Sequence, residues 1–174
     1  PAYRYEEPAY LNDPYSISLT FKKEMDYSGY LTNPIEVTSD LQAVANWIMD
    51  IVLDRELYQG IADTTLQHIN TIFTSLLRSK IGASVRLGIG PRQNGSTRIQ
   101  VINKTTDKQI YPSIFNMSSG EHALISLFCE LTRQADNIGS TFAKVNGIVL
   151  VDEIDKHLHI KLQKEALPEL IKLF

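Results

Sequence analysis

The stretch Gly147-Ile-Val-Leu-Val-Asp152-Glu153 decides how this chain is read. An uncharged, largely β-branched run leads straight into two adjacent carboxylates. Such a run predicts a strand buried on both faces, as in a parallel sheet. Open α/β sheets keep their chemistry at the carboxyl ends of their strands, which is where Asp152 and Glu153 fall. The plainer reading is a core strand that ends in solvated acids.

A second stretch bears on that choice. Met117-Ser-Ser-Gly-Glu121 precedes Ala123, Leu124, Leu127, Phe128 and Leu131, which recur at helix spacing. The pattern predicts a helix over 119–135. Ser118 and Glu121 make a capping box, with Ser at the N-cap and Glu at the third helical position. A capping box alone is only a helix start. Gly120 suggests more, because glycine in a first turn costs stability but admits a ligand close to the backbone. Free N–H groups and the helix dipole there favour a phosphate. The interval from Ser118 to Asp152 suits one helix, one loop and one buried strand.

These residues resemble a known family. Met117-Ser-Ser-Gly-Glu121 looks like the signature motif of ABC-type ATPases, with Ser119 and Glu121 where the common form has Gly and Gln. Val149-Leu-Val-Asp-Glu153 looks like a Walker B strand. Asp152-Glu-Ile-Asp-Lys-His-Leu-His159 resembles a string found in SMC-like ATPases, including the overcoming-lysogenization-defect group of anti-phage systems, with Ile160 where that string has Pro. Pro1-Ala-Tyr-Arg-Tyr-Glu-Glu-Pro-Ala-Tyr10-Leu-Asn resembles the Septu-type ATPases of some retron systems. The dense agreement covers roughly the last third of the chain.

The resemblance implies a P-loop NTPase fold of the ABC-type head, present in part: a signature helix and a Walker B strand of a mainly parallel α/β sheet. It implies ATP and Mg²⁺ as cofactors. Asp152 would hold Mg²⁺ and Glu153 would act as the base toward the attacking water. Ser118, Ser119, Gly120 and Glu121 would meet the ATP of an opposing subunit. Asp155 would lie in the loop that crosses to that subunit, with His157 and His159 orienting it. The implied partners are a second copy in a head-to-head homodimer, an effector nuclease of HNH type, and a reverse transcriptase with its RNA or DNA.

Composition sets looser bounds. The 174 residues are 43% hydrophobic and 21% charged with a net charge of −3, so nothing in the totals demands nucleic acid. The one cysteine, Cys129, excludes a disulfide within the chain and suits a reducing cytoplasm. It lies in the signature helix pattern and reads as a small buried hydrophobe. No run is long and apolar enough to span a membrane, and no signal peptide is visible. None of the nine glycines precedes a lysine, so the Walker A cradle Gly-x-x-x-x-Gly-Lys-Ser/Thr is missing. The chain starts at Pro1 and ends at Phe174, before the strand and switch histidine that the family would supply. We therefore read it as an internal piece of a larger ATPase, with a degenerate pseudo-ATPase as the alternative.

Four regions follow. Residues 1–38 are a Tyr- and Pro-rich front segment with an alternating strand at Ser16–Phe21. Tyr3, Arg4, Tyr5, Tyr10 and Tyr15 could stack on bases, but packing on the sheet is the simpler role. Residues 39–80 form a helical lobe. Its first helix is capped by Ser39 and Gln42 and striped by Leu41, Val44, Ala45, Ile48, Ile51 and Val52, with Trp47 beside the stripe. Its second spans about Thr64–Arg78, with Leu66, Ile69, Ile72, Phe73 and Leu76 inward. Residues 83–104 are a β-hairpin around Asn94-Gly95. Its Arg86, Arg92, Arg98 and Lys104 are a candidate DNA or partner contact, although basic residues also guard a solvated edge. Residues 117–174 carry the signature helix, the Walker B strand and a last helix that Pro168 should kink or break. Asp155, His157 and His159 also form a weak candidate metal set with no visible fourth ligand. Two functional readings remain: a hydrolysing ATPase that controls an effector in phage defense, and a non-hydrolysing nucleotide-binding scaffold. An SMC-like DNA-repair ATPase head is a further alternative.

Overall fold

Leu66, Ile69, Ile72, Phe73, Leu76 and Leu77 recur at helix spacing, and all six are buried. They form the inward stripe of the helix on which the rest of the chain packs. The computed structural model describes residues 41–58, 61–91, 98–137, 139, 144, 149–151, 153–155 and 158–174. Within them the order is α1 (Leu41–Leu57), α2 (Ile61–Ile81), β1 (Val85–Ile89), β2 (Ile99–Asn103), β3 (Gln109–Tyr111), a 3₁₀ turn (Ile114–Asn116), α3 (Ser119–Asn137), a π-helical turn (Leu162–Ala166) and α4 (Leu167–Ile171). No helix among the described residues is long and apolar enough to cross a membrane.

α2 touches α1, α3, β1, the π-helical turn and α4. One hydrophobic cluster runs through all of them, from Leu41 and Ile48 through Phe73 to Phe128 and Leu170. Each fully buried Leu, Ile or Phe contributes about 1.5–3 kcal/mol of transfer free energy, so this shared core dominates the stability of the unit. Trp47 adds a polar tie across it: its Nε1–H donates to Asp136 Oδ2 at 2.8 Å, joining α1 to α3.

A polar row on α2 organises the sheet. Asn70 Oδ1 accepts the N–H of Leu87 at 2.7 Å, and Thr74 Oγ1 accepts the N–H of Val85 at 3.1 Å. Residues four apart on a helix thus serve N–H groups two apart on a strand. The outer edge of β1 is covered in this way, which removes an open edge. Its other edge pairs antiparallel with β2, with Val85 opposite Asn103 and Ile89 opposite Ile99. β2 pairs antiparallel with β3 through an irregularity at Val101/Ile102. Gly88 lies against Ile102, whose side-chain end would have to move aside for any Cβ there.

The C-terminal end of α2 and the last helix follow from local chemistry. Gly82 sits at φ +70 and its N–H returns to the Arg78 carbonyl at 2.8 Å, a left-handed helix stop. Lys161 Nζ donates to the Ser79 carbonyl at 2.8 Å, placing a cation on the negative end of the helix. Pro168 leaves its mark as the π-helical turn just before it. Its ring would clash with the carbonyl four residues back, so the turn widens and the Leu167 N–H bonds Leu162 instead.

Both expected helices in 39–80 are present, and β1 and β2 form the two antiparallel arms of the expected hairpin. The strand expected over 147–152 is not formed in its described part. Val149, Leu150 and Val151 have no strand pairing, and Leu150 is 90% exposed. A strand so apolar needs neighbours on both edges, and the strands among the described residues are committed to the antiparallel β1–β2–β3 sheet. The front segment with its strand at 16–21, Ser39, Arg92 and the Asn94-Gly95 turn lie outside the described residues.

Phe73 is fully buried on the face of α2 that meets this core. Phe73→Ala should cost about 3–5 kcal/mol in urea unfolding. A loss under about 1 kcal/mol would show that the α2 stripe is not the centre of the core.

Candidate functional site

The N-terminus of α3 is built by a succession of short-range bonds. Ser113 Oγ accepts the Phe115 N–H at 3.2 Å and starts the 3₁₀ turn. That turn is closed from above by His122, whose Nε2 lies 3.0 Å from the Ile114 carbonyl and therefore carries the hydrogen. Burial lowers the pKa of His122, and the bond to Ile114 and the neighbouring Glu121 only partly oppose it. Ser118 is the N-cap of α3. Its Oγ accepts the Glu121 N–H at 3.4 Å, and its own N–H donates to Glu121 Oε2 at 2.7 Å. The predicted capping box is therefore complete in both directions.

Glu121 does more than cap. Its side chain is buried, and Lys80 Nζ from the end of α2 donates to its Oε1 at 3.0 Å. Tyr111 Oη from β3 lies 3.4 and 3.3 Å from its two oxygens and accepts from Lys80. Lys80 also lies 5.2 Å from the centre of the Tyr111 ring. Burial works against the charge on Glu121, but the Ser118 N–H, Lys80 and the Ser118 hydroxyl outweigh it and hold the carboxyl below its ordinary range. Lys80 is pushed up in turn, mainly by its bond to Tyr111.

Ser118 and Ser119 are exposed, whereas Gly120 and Glu121 are buried. With the N–H groups of Ser118 and Glu121 used by the box, those of Ser119 and Gly120 have no partner within the helix. At the exposed surface this end of α3 offers the two hydroxyls of Ser118 and Ser119 on a positive helix end, a set suited to an anion.

The other predicted residues fall on the approach to the last helix. Glu153 is exposed and holds φ +48, an uncommon backbone for a residue with a Cβ. The Asp155 carbonyl accepts the Leu158 N–H at 3.0 Å and Gln163 Nε2 at 3.2 Å. His159 caps the following helix: its Nδ1 accepts the Lys161 N–H at 3.3 Å, and its carbonyl accepts from Leu162 and Gln163. Asp152 and His157 lie outside the described residues, and among the described residues no three His, Cys, Asp or Glu side chains form a metal-binding group. Arg86 of the hairpin pairs with Asp107 at 2.9 Å, and Arg98 reaches the Gly90 carbonyl, both ordinary uses on a sheet edge.

Lys80, Tyr111 and His122 escaped the sequence reading, since each lies in a different stretch from the residue it serves. Buried Glu130 and Arg133 were also missed. Arg133 grips both oxygens of Glu130 at 2.7 Å, and only the three-residue spacing hinted at the pair.

Comparison with known proteins adds a relationship. The chain is 31% identical over 124 residues to a retron Vc95 probable ATPase of Vibrio cholerae serotype O1 biovar El Tor, an overlap of 70% of this chain and 21% of that protein. It is 34% identical over 65 residues to a retron Ec83 probable ATPase of Escherichia coli, covering 36% of this chain and 12% of that protein. The chain thus spans about a fifth or less of the length of the curated relatives it matches. No protein-family model and no solved structure matches it. The chain is therefore similar to ATPase-like proteins of retrons.

The acid side of stability tests the box. Glu121 is held below its ordinary pKa, so its contribution is full above an unfolded value near 4.5 and is lost as pH falls through the lower folded value. Glu121→Gln should give a shallower fall of Tm below that pH. An equally steep acid limb in the variant would reject the assignment.

Proposed function

We propose that this chain is the signature and Walker B portion of an ABC-type ATPase that works in retron-linked phage defense. The observation that carries the reading is the α3 N-terminus: Ser118 and Ser119 are exposed in a motif of signature type, and Glu121 is buried behind them. The similarity to two retron probable ATPases supports it independently. The positive φ of Glu153 supports it further, since backbone strain concentrates at functional positions.

In this reading the heads form a homodimer. Ser118, Ser119 and Gly120 of one subunit clamp the ATP held by the other, through hydroxyls and free N–H groups. Asp152 holds Mg²⁺, which offsets phosphate charge, and Glu153 takes the proton of the attacking water. Asp155 reaches the opposing head from the turn that His159 and Gln163 brace. The exposed Val149, Leu150 and Val151 are covered by strands of a larger, mainly parallel P-loop sheet in the full-length protein. Opening and closing of the dimer then governs an effector, an HNH-type nuclease, alongside a reverse transcriptase and its nucleic acid.

Two substitutions test this in the full-length protein. Glu153→Gln should keep ATP binding and lower turnover roughly 10²–10⁴-fold, the usual worth of a general base. Ser119→Arg, at an exposed position that leaves packing alone, should abolish ATP-dependent dimerisation, read as mass in solution in the Glu153→Gln background. Unchanged turnover in the first and unchanged mass in the second would reject the ABC-type reading.

A further inference from the structure

Glu121 divides its two oxygens between two tasks. Oε2 takes the Ser118 N–H at 2.7 Å and so fixes the exposed end of the signature segment. Oε1 takes Lys80 at 3.0 Å, and Tyr111 bridges both oxygens. The carboxylate is planar and rigid, so whatever holds Oε1 also sets the direction of Oε2. Lys80 lies in the last turn of α2, and Tyr111 closes β3. Lys80 is far from Ser118 in sequence and Tyr111 lies on a separate strand, and both reach it through one buried side chain.

We propose that Lys80 and Tyr111 are positioning residues that orient the Ser118–Ser119 edge through Glu121, and so tie the signature end to α2 and the three-stranded sheet. The proposal rests on the ATPase reading above and deepens it, because neither residue need touch nucleotide. Lys80 is also what permits a carboxylate at this place. A buried charge that loses its partner is strongly penalised, whereas a neutral amide of the same shape is not. Glutamine at 121 could still accept the Ser118 N–H through its amide oxygen, without needing a cation behind it. Lys80 and Glu121 therefore act as a matched pair, and loss of the lysine should be curable by loss of the charge.

Tyr111 has a distinct part. Its hydroxyl accepts from Lys80 and donates to Glu121, which leaves Lys80 one geometry in which both bonds are made. Lys80 is otherwise half exposed, and a lone exposed ion pair would be loose. The phenol narrows that freedom.

The experiment uses the full-length protein and two readouts: steady-state ATP turnover, and hydrogen–deuterium exchange of the backbone over residues 117–123. Lys80→Met should lower kcat roughly ten- to a hundredfold, as expected for misplaced groups, with KM for ATP little changed. It should also speed exchange over 117–123. Lys80→Arg should retain most turnover, and Lys80→Met combined with Glu121→Gln should recover most of what Lys80→Met loses in both readouts. Active wild type with unchanged kcat and exchange in Lys80→Met would overturn the proposal and leave the ATPase reading standing. Failure of the double variant to recover either readout would overturn it as well. If the unaltered protein shows no ATP turnover while Lys80→Met still speeds exchange, the ATPase reading fails and the contact is only a structural pin, which also overturns the proposal.

Discussion

Everything described here depends on α2 being buried along its length while still carrying polar side chains where strands need them. Its apolar stripe collects α1, α3 and the last helix around Phe73 and Ile72. Its Asn70 and Thr74 row completes the hydrogen bonds of β1. Its last turn presents Lys80 to Glu121 and receives Lys161 on its carbonyl end. A helix serving so many neighbours cannot shift without moving all of them. The α3 N-terminus is therefore held from outside its own helix.

How much of this was legible in the sequence differs by the range of the interaction. The helices were legible because stripes such as Ile69, Ile72 and Phe73 report burial every turn. The capping box was legible because Ser118 and Glu121 lie three residues apart. The hairpin was legible through Asn94-Gly95, and β1 and β2 pair antiparallel on either side of it. β3 was missed, since three residues are too few for an alternation to stand out; Asn103 and Asp107, which shape the turn before it, were the available signal. The strand over 147–152 was expected from its apolar, β-branched run and its Walker B resemblance. Composition records how apolar a segment is, but not whether partner strands are present to pair with it. Lys80 and Tyr111 were not legible at all, because nothing local marks a lysine as the partner of a carboxylate on another helix.

The geometry around Glu121 also changes how its departure from the common signature is understood. On the page of sequence, glutamate in place of glutamine looks like a loss of neutrality at a phosphate-facing motif. In three dimensions its charge faces inward, toward Lys80, and its effect on the exposed side is to hold the Ser118 N–H. Buried carboxylates persist where every lone pair of consequence finds a donor, and here three donor groups surround one side chain. A separate bond runs from the Glu121 backbone N–H to the Ser118 hydroxyl.

Cys129 is wholly buried at the middle of α3, and burial together with Glu130 drives its thiol far from ionisation. The chain is consequently silent toward thiol-directed reagents while it stays folded. A single cysteine introduced at an exposed position such as Ser119 would then be the sole reactive sulfur of this unit. An optical or spin label placed there would report on whatever approaches the start of α3, with no native cysteine to remove first.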